Sequence, residues 1–346
     1  MSKERIRWGL MGSGRIIDRW IKGAKQVDDM DIVAIASRKP ESAQKMADKY
    51  DIPEVLTFDE MVGRDDIDIV YVPVPHVAHK ELTIKALKAG KAVLVEKPAA
   101  VTAAEFDEMA ECAKENGTFL MEAVWTRFFP LAKRLDEVLK SGVIGEVRLF
   151  QSSFSFRSEP DQVPRLYLPE LAGGALLDTG VYNLHFAEMV LGKDPVDVTG
   201  FCAMDTDEYH LKVDEQGSYV AKYDNGELAV MTSAVRTSMP DTAYIYGTKG
   251  SITVPVFWKP SRMLVNAEGK EEWIEAPVDQ KIDGIEDEGY QYEIRHVQDC
   301  LRRGLKQSPL VTHVMTRDVL RMCDEIRRQW GLVYPFEMNN PVQKTS

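Results

Sequence analysis

Ala92-Val93-Leu94-Val95-Glu96-Lys97-Pro98 runs an apolar stretch straight into a charged pair and a proline. An apolar run of this kind, bounded by turn signals, reads as a strand of a parallel sheet covered on both faces. Open parallel sheets take their ligands just beyond the carboxyl ends of such strands. Glu96 and Lys97 therefore place a cation where a ligand lies, and Pro98 fixes the chain direction there. The tripeptide alone would fit a strand that ends in surface charge equally well. The chain around it shifts the balance.

Working outward, short apolar strands alternate with amphipathic helices over the first 125 residues. Strands are expected at 6–12, 31–37, 68–74, 92–97 and 118–124. Helices are expected at 15–26, from Pro40 onward, up to Ala89 with Gly90 as its cap, and at 102–116 with Gly117 as its stop. Such alternation means parallel crossovers and a doubly wound α/β sheet. After a linking helix at 130–140 the pattern changes. A long strand is expected at 146–156, and strands at 217–223 and 228–235 flank the turn Asp224-Asn225-Gly226. Strands at 242–246 and 251–254 flank Gly247-Thr248-Lys249-Gly250. The second half is therefore α+β with a mostly antiparallel sheet, and helices near 175–191, 288–302 and 316–329 would cover one face. Phe150, Phe154 and Phe156 lie on one side of the 146–156 strand and Val147 and Leu149 on the other, so both faces are expected to be covered, by a second subunit or by the domain itself. The division is 1–125 and 126–346.

With 346 residues, 44% hydrophobic and 28% charged, the chain has the composition of a globular protein of two domains. It has no apolar run of 18 residues and its first ten residues are not signal-like, so a cytoplasmic protein without membrane partners is expected. Cys112, Cys202, Cys300 and Cys323 show neither metal-ligand nor disulfide-framework spacing, so no metal is expected. A net charge of −12, from 43 basic and 55 acidic residues, argues against nucleic acid.

The first strand leads into Gly9-Leu10-Met11-Gly12-Ser13-Gly14-Arg15-Ile16-Ile17. Gly12 serves the bend and Gly14 the close approach of backbone to a pyrophosphate at a helix N-terminus. The third glycine or alanine of such turns is Ile17 here, so helix–strand packing must differ locally. The second strand ends in Ser37-Arg38-Lys39, without the carboxylate that meets a free ribose. A guanidinium can grip a 2′-phosphate in a fork and a serine hydroxyl can add a bond, which favours NADP, with NAD as the alternative.

Gly173-Gly174-Ala175-Leu176-Leu177-Asp178-Thr179-Gly180-Val181-Tyr182-Asn183-Leu184-His185 carries the second cluster. On a regular helix Asp178, Tyr182 and His185 fall at i, i+4 and i+7, on one stripe that can line a cleft. Each alone reads as structural: a cap, a packed tyrosine, a packed histidine. A tyrosine with a pKa near 10 exchanges protons poorly unless a cation stabilises its phenolate. Lys97 is that cation if the two domains face each other.

These motifs together resemble the glucose–fructose oxidoreductase / inositol dehydrogenase (Gfo/Idh/MocA) superfamily: Gly-x-x-Gly-x-Gly, Glu-Lys-Pro and Gly-Gly-…-Asp-x-Gly, in that order along nearly the whole chain. Met121-Glu122-Ala123-Val124-Trp125-Thr126-Arg127-Phe128-Phe129-Pro130 and Tyr182 look most like its dimeric dihydrodiol dehydrogenases, also described as NADP-dependent D-xylose dehydrogenases. The resemblance implies a Rossmann domain, a C-terminal domain whose open sheet forms a homodimer or a higher homo-oligomer, and a cis bond before Pro98. It implies catalytic roles for Lys97, Tyr182 and Asp178. The cofactor set it implies is Gly12, Ser13, Gly14, Arg15, Ile16, Ser37, Arg38, His79, Glu96, Lys97, Trp125 and Arg127. Trp125 and Arg127 would cross beneath the nicotinamide. The implied substrate set is Lys97, Trp125, Phe154, Asp178, Tyr182, His185 and Trp258, with Phe154 and Trp258 as apolar walls. A satisfied histidine at a helix start accounts for His79 as well. Many relatives carry histidine at position 182 and aspartate at 185, so inositol-type activity is disfavoured and the role of His185 stays open.

The expected function is NADP-dependent hydride transfer to or from a hydroxyl-bearing carbon of a sugar, polyol or cyclic diol, with Lys97 and Tyr182 managing the alcohol proton. The competing reading is a non-catalytic NADP-binding ligand sensor, which need not keep Lys97, Asp178 and Tyr182 together. A zinc alcohol dehydrogenase finds no Cys/His set at ligand spacing.

Overall fold

The computed structural model describes residues 5–204, 211–276 and 289–338. Described residues within 1–100, 104–128 and 278–317 form one compact unit, and those within 101–103, 129–277 and 318–346 form a second.

In the first unit the strands are β1 (Ile6–Met11), β2 (Met30–Ala36), β3 (Glu54–Leu56), β4 (Ile69–Val72), β5 (Ala92–Glu96) and β6 (Leu120–Ala123). They pair in the order β3-β2-β1-β4-β5-β6, every pair parallel. Four of the five β5 residues are buried, as an all-apolar central strand requires. The helices are α1 (Arg15–Ala24), α2 (Pro40–Tyr50), α3 (Phe58–Val62), α4 (His79–Lys88) and α5 (Ala103–Glu115). Pro40 occupies the first turn of α2, where its missing N–H costs nothing. Thr57 and Glu60 form a reciprocal capping box on α3. Gly90 and Gly117 take positive φ after α4 and α5, as their stop signals required.

A turn at Trp125–Phe128 and helix α6 (Pro130–Lys140) lead to a second sheet. Its strands are β7 (Val147–Ser155), β8 (Asp197–Ala203), β9 (Gln216–Lys222), β10 (Leu228–Ala234), β11 (Thr242–Gly247), β12 (Gly250–Pro255), β13 (Arg262–Ala267) and β14 (Lys270–Glu275). The order is β14-β13-β12-β11-β7-β10-β9-β8, antiparallel except where β7 meets β10. Helix α7 (Val181–Leu191) covers one face: Phe186 lies against Phe150, and the Ser152 hydroxyl donates to Asn183 Oδ1 at 2.7 Å. Helix α9 (His313–Trp330) brings the Trp330 ring over Gly217, where a Cβ would stand 2.5 Å from it.

Helix α8 (Tyr290–Arg302) corrects the expectation that a helix at 288–302 covers the second sheet. It packs in the first unit on α1, where a Cβ on Gly23 would lie 2.7 Å from Tyr290 Cβ and Arg295 donates to Gln26 O at 2.7 Å. Periodicity shows which face of a helix is apolar, not which surface receives it. Residue 288 itself lies outside the described residues. The four cysteines are free thiols. Among the described residues no helix is long and apolar enough to cross a membrane, and no cluster of His, Cys, Asp or Glu is placed to hold a metal.

Candidate active site

At the end of β1 the chain turns at Gly12, whose φ is +156°. A Cβ there would lie 2.9 Å from Pro73 O, just beyond β4, so only glycine fits. Gly14 caps α1, and Gly14 and Arg15 are exposed at this positive helix end while Ile16 is partly buried. Ile17, in the place of a third small residue, is fully buried, and helix–strand packing is completed by Trp8 and Trp20, whose rings lie 5.3 Å apart. The Ser13 hydroxyl donates to Ser37 Oγ at 2.9 Å, which joins the glycine turn to the end of β2. Arg38 and Lys39 are exposed beside it. A glycine cradle, a helix N-terminus and a serine–arginine pair fit a dinucleotide carrying an extra phosphate.

Lys97 lies at the end of β5, and its peptide bond to Pro98 is cis. The segment is held from three directions. Glu96 Oε2 accepts from Lys97 N at 3.1 Å, Glu122 Oε1 from Ala99 N at 2.9 Å, and His79 Nδ1 lies 2.8 Å from Pro98 O. Glu122 Oε2 also accepts from the Thr316 hydroxyl at 2.8 Å. Tyr71 donates to Glu96 Oε1 and stacks at 4.6 Å on Trp20. Burial pushes the Glu96 carboxyl up from its ordinary value, and burial together with Glu96 pushes Glu293 of α8 well up. Trp125 is buried, stacked 4.3 Å from Tyr290 with the Arg19 guanidinium over both rings. Arg127, two residues on, is partly buried.

In the second unit Leu176–Gly180 is a π-helical turn that runs into α7. The regular i, i+4, i+7 stripe is thereby corrected: Tyr182 and His185 share α7, while the wider turn shifts Asp178 relative to them. Asp178 is buried and pairs with Arg165 Nη1 at 3.1 Å. His185 is buried and Tyr182 partly so. Tyr182 meets Phe154 edge-on at 5.2 Å, and Phe154 stacks on Trp258 at 5.2 Å and 7°. Trp258 Nε1 donates to Asp241 Oδ2 at 3.0 Å, and Asp241 Oδ1 accepts from Ser155 N. The two expected aromatic walls and Tyr182 are thus one cluster.

Sequence reasoning missed Tyr71, Arg165, Asp214, Asp241 and Glu293. Asp214 is the most consequential of them. Fully buried, it accepts from Leu176 N through Oδ2 at 2.6 Å and from Ala175 N through its carbonyl at 2.8 Å, which caps the helix that carries Asp178 and Tyr182. An aspartate 38 residues from the helix it caps gives no local signal.

Burial pushes the Asp214 carboxyl up to about 7, against the pull of the Leu176 N–H and of Arg327. The unfolded chain loses this proton near pH 4, so between about pH 4 and 7 the native state holds the extra proton and stability falls as pH rises. Thermal melts of Asp214→Asn should lose that slope. A slope unchanged from the parent would assign it to other groups.

Residues 6–124 match a family described as oxidoreductases with an NAD-binding Rossmann fold, and residues 132–253 match the GFO/IDH/MocA C-terminal domain. The chain is 33% identical to trans-1,2-dihydrobenzene-1,2-diol dehydrogenase of Mus musculus, over 95% of this chain and 98% of that protein. It is 35% identical to the protein of the same name from Xenopus tropicalis, over 95% and 99%. Among solved structures, a 3-ketoreductase from Actinomadura kijaniata, in complex with NADP and TDP-benzene, aligns with a TM-score of 0.85 at 25% identity, covering 94% of this chain and 98% of that one. An aldose–aldose oxidoreductase from Caulobacter crescentus aligns at 0.84 and 25%, covering 94% and 97%.

Proposed function

The chain belongs to the Gfo/Idh/MocA oxidoreductase family, and from that premise we propose that it is an NADP-dependent dehydrogenase of a sugar, polyol or cyclic diol. The relatives named above are dehydrogenases, reductases or oxidoreductases, which removes the ground for a sensor without turnover. When bound, the dinucleotide supplies the hydride acceptor or donor at its nicotinamide. Gly12, Ser13, Gly14, Arg15 and Ile16 would hold its pyrophosphate, and Ser37 and Arg38 its 2′-phosphate.

In this reading Tyr182 exchanges the alcohol proton, and the Lys97 ammonium stabilises phenolate and developing alkoxide charge. Asp178, kept in place by Arg165, orients a substrate hydroxyl. Phe154 and Trp258 offer flat apolar faces that suit a pyranose ring or an arene-derived diol. The observation that carries the reading is this cluster: a tyrosine hydroxyl on a packed aromatic wall, on the helix that follows a buried, ion-paired aspartate.

The outer face of the second sheet is proposed as a homodimer surface. Leu228 and Tyr246 flank Leu149 in register across β10, β7 and β11, and both remain more than a third exposed.

The test is NADP reduction with aldoses, inositols and cyclic diols in parallel, with NAD as control. Turnover on an aldose or a diol with NADP is expected, and none on any alcohol would sink the proposal. In the same assay Arg38→Ala should raise the KM for NADP about 10- to 100-fold, the loss of a charge-assisted phosphate contact, and leave that for NAD nearly unchanged. A parent enzyme that prefers NAD would overturn the assignment of Ser37 and Arg38.

A further inference from the structure

His79 opens α4 and is fully buried, with Nδ1 2.8 Å from Pro98 O and Nε2 2.8 Å from Val74 O. Both partners are backbone carbonyls, which only accept. A neutral imidazole carries one N–H and one lone pair, so it can satisfy only one of them and must aim its lone pair at the other. A flipped ring would place carbons against both oxygens. Only the imidazolium donates to both.

We propose that His79 is a doubly protonated positioning residue that ties the 73–75 segment to the Lys97–Pro98 turn and so sets where the Lys97 ammonium stands. The proposal rests on the reading of Lys97 as the cation that serves the alcohol proton. The two tied segments are functionally distinct. Pro73 closes the cradle around Gly12, and Pro98 follows Lys97, so one ring links the phosphate turn to the reacting cation. The charged groups that bear on the ring oppose one another. Burial, the largest influence, holds its pKa below the ordinary value and Lys97 adds to that, while the two carbonyls and Glu122 pull against the shift without reversing it. Glu122 is buried and accepts from Ala99 N and from the Thr316 hydroxyl. His76, whose ring lies 5.8 Å away edge-on, is the other titratable group beside it. Against that downward pull the proposal rests on the geometry: a neutral ring leaves a buried carbonyl facing a lone pair at hydrogen-bonding distance.

The experiment is ¹⁵N NMR of the histidine side chains of the full chain, between pH 6 and 8. The His79 signal is the one that survives replacement of each of the other five histidines in turn. Both ring nitrogens should show protonated shifts at pH 7, and a single neutral tautomer there overturns the proposal. His79→Gln, whose two donors share one nitrogen and cannot reproduce a link from both ends of a ring, should lower kcat about 10- to 100-fold through a displaced Lys97, with the KM for the alcohol nearly unchanged. A kcat within about twofold of the parent refutes the positioning role. If that variant does not fold, the ring spectrum of the unaltered protein still decides the charge. The spectrum needs no substrate, so a failure of the redox reading would show separately, as absent turnover with the imidazolium intact.

Discussion

Lys97→Met should lower kcat by about 10³-fold, the combined size expected for lost proton management and lost stabilisation of alkoxide charge. Methionine keeps an unbranched apolar stem of nearly the same reach and removes the ammonium. The backbone around it stays held, because Glu96 bonds Lys97 N and Glu122 bonds Ala99 N whatever the side chain at 97 is. NADP affinity, followed by fluorescence titration, should therefore stay within about threefold of the parent, a change below 1 kcal/mol. Steady-state kinetics and titration on the same preparation separate the two effects. Turnover equal to the parent would remove Lys97 from the chemistry. A loss of NADP binding as large as the loss in kcat would make it a cofactor clamp instead.

Gly174→Ala should destabilise the fold severely. Gly174 has φ +119°, and an added Cβ would stand 2.0 Å from Asp214 Oδ1 and 3.0 Å from Asp214 Cγ. The new methyl must either displace that carboxyl or move a backbone that is pinned by Gly174 N donating to Leu166 O at 2.8 Å. Displacing it uncaps the helix at Leu176 and leaves a buried acid without its partner. Strain at positive φ contributes about 1–3 kcal/mol, the lost cap about 1, and the unsatisfied buried group about 1–3. Together these approach the roughly 5–15 kcal/mol that holds a domain folded. The expected result is a large fall in melting temperature or loss of the folded protein, read by calorimetry or circular dichroism. Gly192→Ala, at the other end of α7, is the control. Its φ is +66° with nothing within 4 Å of the added Cβ, so it should cost only about 1 kcal/mol. Equal effects at the two positions would show that backbone strain, not the Asp214 contact, sets the cost.

Helix α6 spans Pro130–Lys140 as its sequence pattern indicates, and β5, β7 and β10 begin and end within a residue or so of their expected bounds. Each has a strong local signature: a proline at a helix start, an apolar run, or an Asn-Gly turn. Strands β3, β8, β13 and β14 were not read from the sequence. Three residues at 54–56 are too few to show a period, and Lys270-Glu271-Glu272-Trp273-Ile274-Glu275 is an exposed edge strand whose alternation is drowned in charge. The π-helical turn at Leu176–Gly180 was also invisible, since its composition suits an α-helix and the extra residue is imposed by what packs around it. Among the candidate site residues, the turn at Gly12–Gly14 could be placed from the sequence because a strand, a glycine pair and a helix start are contiguous there, and the fold sets Ser13 against Ser37. Phe154 and Trp258 were read as apolar walls and Tyr182 as a separate group, and the fold joins the three in one aromatic cluster.

Taken alone, the order of residues determined the two kinds of sheet, the turns that end β1 and β5, and the family to which these belong. Those features follow from periodicity and from the conformational limits of glycine and proline, which act within a few residues. Tertiary structure alone decided that α8 returns to pack on α1, that Asp214 caps a helix 38 residues before it, and that His79 faces two carbonyls. Each of these sets a side chain against a surface or a buried backbone group it must satisfy. Which group that is depends on where the whole chain comes back, and no local pattern records it.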